Sequence, residues 1–117
     1  MSGASSKRKG DRAERAVRDY LQTIWPNTRR TRAGWDEDLG DVIADTPRGL
    51  LCIQVKDVAT PQWKTWFTQL EDQVTTLRAN TTKPVVGGLV IWKLRGHSDP
   101  GEWRAVFKVS EISSLFD

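Results

Sequence analysis

Asp41, Gln54 and Lys56 interrupt two otherwise apolar stretches, Gly40-Asp41-Val42-Ile43-Ala44 and Leu50-Leu51-Cys52-Ile53-Gln54-Val55-Lys56, and their types suit one piece of chemistry. Residues two apart on an extended chain share a face, so Gln54 and Lys56 project together while Ile53 and Val55 take the other side. If the two stretches pair as a hairpin through Asp45-Thr46-Pro47-Arg48-Gly49, the carboxylate of Asp41 lies beside them. A hard divalent cation such as Mg²⁺ takes oxygen ligands and needs only one or two from protein when phosphate and water supply the rest. Asp41 and the amide oxygen of Gln54 meet that demand, with Mn²⁺ as the other candidate cation. Lys56 then adds the positive charge that an attacking water and a pentavalent phosphate both need nearby.

Each of these residues also has a plainer use. Asp41 can be a turn acid after Gly40. Gln54 can be an amide on a half-exposed strand that hydrogen-bonds a neighbour, and Lys56, followed by Asp57, an edge-strand charge that blocks aggregation. Other chemistries find less support. His97 is the only histidine and lies in a Gly- and Pro-containing loop, which disfavours a histidine metal site or a Ser-His-Asp triad. There is no Gly-rich phosphate loop ending in Lys-Ser/Thr. The single cysteine, Cys52, can build neither an internal disulfide nor a thiolate metal site, and its strand position makes it a small buried hydrophobe.

The elements that must hold these residues follow from periodicity. Ala13, Val17, Tyr20, Leu21 and Ile24 recur at helical spacing, so the stretch from Asp11 to Ile24 reads as a helix closed by Pro26. Thr28 to Ala33 reads as an edge-like strand, followed by the turn-like Gly34-Trp35-Asp36-Glu37-Asp38 and then by the two strands of the hairpin. Thr60 offers an N-cap with Pro61 at the first helical position, and Trp63, Trp66, Phe67, Leu70, Val74 and Leu77 form the apolar stripe of a long helix up to Asn80. Pro84 to Leu94 is a near-continuous apolar run, as in a central strand covered on both faces. Trp103 to Val109 alternates as a last strand, and Ser110 is placed to cap a short terminal helix through Phe116. The expected order is α-β-β-β-α-β-β-α, an α/β fold with a mixed central sheet flanked by helices.

At 117 residues the chain suits one small domain. The polar, basic residues 1–9 read as a flexible tail and residues 10–117 as the folded domain. No run approaches the ~18 apolar residues of a membrane span and no signal core is present, so a soluble, cytoplasmic protein is expected. The net charge is +3, but residues 1–32 hold nine cations (Lys7, Arg8, Lys9, Arg12, Arg15, Arg18, Arg29, Arg30, Arg32) against three acids, a local +6 that leaves −3 for the remainder. Charge gathered at one end is the footprint of a phosphate-backbone binder, or else a solvated tail and ordinary helix surface. The DNA-contacting candidates are Lys7, Arg8, Lys9, Arg12, Arg15, Arg29, Arg30 and Arg32. Trp35, in the loop beside the site, is a candidate stacking or wedge residue. The remaining tryptophans of the long helix and the apolar run are expected to pack in the core or against a second subunit.

With these elements in place, the chain resembles the PD-(D/E)XK nuclease superfamily, and within it the archaeal-type Holliday junction resolvases. The resemblance runs from Lys7 to Leu94. Gly10-Asp11-Arg12-Ala13-Glu14-Arg15 matches their Gly-x-x-x-Glu-Arg helix signature, Gly40-Asp41 their metal-binding Asp, and Gln54-Val55-Lys56 their (Glu)-x-Lys strand. Gln54 stands where those resolvases usually carry Glu, and a similar Gln-x-Lys form occurs in Mrr-type restriction endonucleases; Ala33-Gly34-Trp35 stands where the resolvases tend to carry a serine.

The resemblance implies a restriction-endonuclease-like αβββαββ core and a metal shell formed by Asp41, Glu14, the Gln54 position and the carbonyl of Val55, with Lys56 orienting or activating water. Taken alone, Glu14 would pair with Arg18 four residues on. The implied activity is Mg²⁺- or Mn²⁺-dependent cleavage of four-way DNA junctions in recombination and repair. Two symmetric cuts call for a twofold homodimer, with the Trp63 helix or Val85 to Trp92 as candidate interface. The other readings are a Mrr-like endonuclease on duplex DNA and a non-catalytic DNA-binding module with a decayed site. Compact size suits an enzyme encoded by a virus or mobile element, by analogy alone.

Overall fold

Ala13 and Val17, one helical turn apart, are the buried line of the first helix, α1 (Gly3–Gln22), in the computed structural model of the protein, which describes residues 3–31 and 41–117. The helix takes in most of the stretch that composition assigns to a tail, and it stops before Ile24. Tyr20 and Ile24, which spacing places on the apolar stripe, are 43% and 54% exposed, Tyr20 in the last turn of the helix and Ile24 beyond it.

Strand β1 (Arg29–Arg30) is two residues long and pairs antiparallel with β2 (Val42–Thr46), Arg30 opposite Val42. β2 folds back on β3 (Gly49–Lys56), with Val42 opposite Ile53 and Thr46 opposite Gly49. The turn is tighter than the five residues expected, with only Pro47 and Arg48 between the paired ends. The Thr46 hydroxyl fixes it by donating to the Gly49 carbonyl (2.8 Å) and accepting the Arg48 N–H (3.2 Å). Gly49 has φ +137°, and a Cβ there would lie 2.5 Å from the Pro84 carbonyl oxygen, so glycine is required on both counts.

From β3 the chain crosses over through α2 (Trp63–Ala79) to β4 (Val85–Trp92), which pairs parallel to β3. The helix begins after the Thr60-Pro61 signal, with Gln62 at the N-cap and no side-chain cap bond. The segment before it is tied to the end of β4, where the Trp92 indole N–H donates to the Val58 carbonyl (2.8 Å). β5 (Arg104–Val106) completes the sheet antiparallel to β4 and is shorter than the alternation suggested. A 3₁₀ turn at Val109–Glu111 absorbs Ser110, so the last helix, α3 (Ile112–Phe116), starts without the expected serine cap.

The result is a five-stranded mixed sheet in the order β1-β2-β3-β4-β5, flanked by helices, as the coarse class required. α1 covers one face, over Val42, Ala44, Leu51, Ile53 and Val55. α2 covers the other, packing Trp66, Leu70, Val74 and Leu77 on Ile43, Leu50, Cys52 and Val90. α2 sits so close to β4 that a Cβ at Gly88 would come within 2.9 Å of both Leu70 and Val74. Trp63 meets Trp66 and Trp92 edge-on at 5.0 and 5.7 Å. The faces suggested for a dimer are therefore largely consumed within the chain, and among the described residues the most exposed large apolar side chains are instead Val109 (81%) and Phe116 (68%). Among the described residues no helix is long and apolar enough to cross a membrane.

Candidate functional site

Alternation along β3 divides its side chains as the pleat demands. Leu51, Ile53 and Val55 go to the α1 face, and Cys52 to the α2 face. Gln54 and Lys56 share that second face, and both meet α2. The Gln54 amide is 1% exposed rather than half-exposed, and its Nε2 donates to the Gln73 Oε1 at 2.8 Å. Its own Oε1 is buried and has no hydrogen-bond partner among the described residues. Lys56, half-buried, places its Nζ 5.7 Å from the centre of the Trp66 ring, an attraction between cation and π-face that holds the ammonium without neutralising it. Trp66 and Gln73 lie seven residues apart, on one side of α2.

Asp41 comes to the same end of the sheet from the neighbouring strand. Its N–H donates to the Ile53 carbonyl (3.0 Å) and its carbonyl accepts the Thr31 N–H (3.2 Å), which ties it to both neighbours of β2. Its carboxylate Oδ2 accepts the Val55 N–H at 2.8 Å. A side chain thus takes the place of a backbone acceptor in the ladder. Asp41 is anchored to the residue that separates Gln54 from Lys56.

Glu14 is bound to Arg30. The Arg30 Nη2 and Nε donate to Glu14 Oε1 at 2.8 and 3.3 Å, and Nη2 also reaches Asp11 Oδ1 at 3.1 Å. Burial pulls the Arg30 pKa down, but the hydrogen bond and charge of Glu14, joined by Asp11, more than offset this and leave it above arginine's ordinary value. The guanidinium is charged at any working pH. Because Arg30 pairs with Val42, the residue after Asp41, the ion pair links α1 to the strand that carries the acid. Arg18 bonds the adjacent Asp19 instead of Glu14. Asp57, just past Lys56, lies near Lys93 (3.5 Å) and Lys9 (3.9 Å).

The remaining basic candidates divide by exposure. Lys7, Arg8, Lys9, Arg12, Arg15 and Arg29 are exposed, whereas Arg30 is only 22% exposed, its head directed at carboxylates. Arg8, Arg12 and Arg15 recur at four- and three-residue steps on the side of α1 opposite Ala13 and Val17. Arg32, Trp35, the loop acids Asp36, Glu37 and Asp38, and Gly40 lie outside the described residues.

Among the described residues no three His, Cys, Asp or Glu side chains gather as a metal-ligating group. Among the described residues, the side-chain oxygens at this end of the sheet include the Asp41 carboxylate and the buried, orphaned Gln54 Oε1. Such a set fits a hard cation that keeps several waters and takes phosphate oxygens, and does not fit an all-protein cage.

Sequence reasoning missed Gln73 and read Trp66 as packing alone. The signal for Gln73 was present: it is the one polar residue at a core position of the stripe Trp66, Leu70, Val74, Leu77, and it is buried with them. The partnership of Glu14 with Arg30, sixteen residues apart, left no local pattern to read. Compared with known proteins, the chain matches no family model, no curated protein and no solved structure.

Proposed function

We propose that the protein is a Mg²⁺- or Mn²⁺-dependent endonuclease of branched DNA, acting as a Holliday junction resolvase. The observation that carries the reading is the anchoring of the Asp41 carboxylate on the Val55 N–H, between an amide with an unpartnered oxygen and an amine held over an aromatic ring. The resemblance to archaeal-type resolvases supplies the reaction class, and the meander of β1, β2 and β3 followed by a parallel crossover agrees with the core that the resemblance implies.

In this reading Asp41 and the Gln54 Oε1 present oxygens to the cation, which when bound neutralises charge on the scissile phosphate. Lys56 places its ammonium where negative charge develops, and burial beside Trp66 keeps it from wandering into solvent. Arg30 holds Glu14 and β1 together at the margin of the site. The exposed arginine line of α1 takes the DNA backbone without reading sequence. A twofold homodimer presents two such sites for symmetric cuts.

The test is incubation of the protein with labelled four-way junction and with linear duplex, in Mg²⁺, in Mn²⁺ and with chelator. Paired, metal-dependent nicks in the junction with the duplex left largely intact support the proposal. Comparable cutting of linear duplex favours the Mrr-like reading, for which the Gln54-Val55-Lys56 form speaks. Salt-sensitive binding without cleavage under any metal assigns the chain to the non-catalytic class.

A further inference from the structure

Two lysines end the central parallel strands on opposite faces of the sheet, and each is held over a tryptophan. Lys56 closes β3 on the α2 face, its Nζ 5.7 Å from the centre of the Trp66 ring. Lys93 follows β4 on the α1 face, its Nζ 5.5 Å from the centre of the Trp103 ring. The Lys93 N–H donates to the Lys56 carbonyl at 2.9 Å, which fixes the two chain ends side by side. Trp103 is itself pinned, buried in the α1 layer with its indole N–H on the His97 carbonyl (2.8 Å). A cation set on a fixed ring keeps its charge and has less freedom left to lose when an anion arrives.

Asp57, the residue after Lys56, is 15% exposed and has two ammoniums around it, Lys93 at 3.5 Å and Lys9 of α1 at 3.9 Å. Both separations are well beyond the roughly 2.7–2.9 Å of a charge-assisted hydrogen bond. Among the described residues neither lysine head has another carboxylate or makes a hydrogen bond, so one negative charge faces two positive ones whose N–H donors are uncommitted. The carboxyl ends of adjacent parallel strands are also where open α/β sheets take their ligands. Counting charge along the chain does not find this group, because Lys93 belongs to the stretch beyond residue 32, whose sum is −3.

We infer that Lys93 is a phosphate-binding residue: together with Lys9 it holds a backbone phosphate of DNA on the α1 side of the sheet end, beside the site of Asp41 and Lys56. The inference rests on the DNA-cleaving reading above and extends it, since it joins the basic line of α1 to the site through Lys9. Asp57 is the resident counter-charge, which offsets the repulsion between the two ammoniums in the free protein and competes with phosphate for them.

The test is fluorescence anisotropy of the full chain with labelled four-way junction and linear duplex, in chelator so that nothing is cut, at several salt concentrations and alongside urea unfolding. The variants are Lys93→Gln, Lys93→Arg, Asp57→Asn and the double variant of Lys93→Gln with Asp57→Asn. Lys93→Gln is expected to weaken binding about three- to tenfold and to flatten log K against log salt by roughly 0.9. Lys93→Arg keeps the charge and is expected to bind as the parent does. Asp57→Asn removes the competing carboxylate and is expected to tighten binding. Lys93→Gln is expected to cost as much affinity in that background, because its action does not pass through Asp57. Binding and salt slope equal to the parent's in Lys93→Gln, with only the unfolding midpoint moved, make Lys93 a strut between strand and helix and overturn the inference. So does a loss of binding that disappears once Asp57 is Asn, since Lys93 then acts only by holding that acid. A parent protein that binds neither DNA at any salt overturns the DNA reading itself, and the role of Lys93 with it.

Discussion

The carboxylate of Asp41 accepts the backbone N–H of Val55 across 2.8 Å, so the acid is both a candidate ligand and a rung of the sheet. The two roles separate on substitution. Asp41→Asn keeps an oxygen for the Val55 N–H and is expected to abolish cleavage while leaving the denaturation midpoint and junction binding nearly unchanged. Asp41→Ala orphans that N–H and is expected to cost about 1–3 kcal/mol of stability besides. Cleavage assays together with urea unfolding check the pair; similar stability losses for Asn and Ala would contradict the rung.

Lys56 stands over the Trp66 ring at 5.7 Å, and no carboxylate is paired with it among the described residues. Lys56→Ala is expected to slow cleavage by roughly 10²–10⁴-fold with junction binding within a few fold. Lys56→Arg is not expected to restore the rate: a guanidinium can stack on that ring face, but its planar, delocalised charge does not put a compact ammonium donor at the same point. Single-turnover cleavage and gel-shift titration on the same preparations decide it. Equal losses of binding and cutting would make Lys56 a DNA contact.

How much of this was legible in the sequence depended on the range of each interaction. The hairpin, the division of β3 into two faces and the stripe of α2 follow from side-chain periods of two and of three to four, which are local properties. The Thr60-Pro61 signal placed the start of α2 two residues early, because it marks a helix N-terminus only locally, and the first helical residue is Trp63. Asp41, Gln54 and Lys56 stood out as polar residues in apolar strands. Gln73 stood at a core position of the α2 stripe, but what it meets there was not readable until the partner strand was known. Glu14 was noticed for its motif and given the wrong local partner, since Arg30 reaches it only through the fold.

Gln54→Glu turns the neutral member of the site into a carboxylate. Its old partner can accommodate the change, because the Gln73 amide can turn to donate where it now accepts. The variant is therefore expected to fold, and the Mg²⁺ concentration for half-maximal cleavage is expected to fall severalfold through the added charge. An unchanged metal titration in a well-folded variant would remove Gln54 from the cation's surroundings.

Arg30 and the exposed arginines of α1 are expected to behave differently although all belong to the basic end of the chain. Arg30 grips Glu14 and Asp11 at 2.8 and 3.1 Å, so Arg30→Ala strands two carboxylates, and a stability loss of about 1–3 kcal/mol follows. Arg12 and Arg15 face solvent, so removing both should leave the unfolding midpoint within about 0.5 kcal/mol of the parent. It should also weaken junction binding regardless of sequence and flatten the dependence of log K on log salt by roughly 0.9 for each phosphate that is no longer neutralised. Unfolding curves and binding isotherms at several salt concentrations separate the cases. An Arg12/Arg15 variant whose binding falls on one sequence and not another would mean that these side chains read bases, and a salt slope left unchanged would take the DNA backbone off this face of α1.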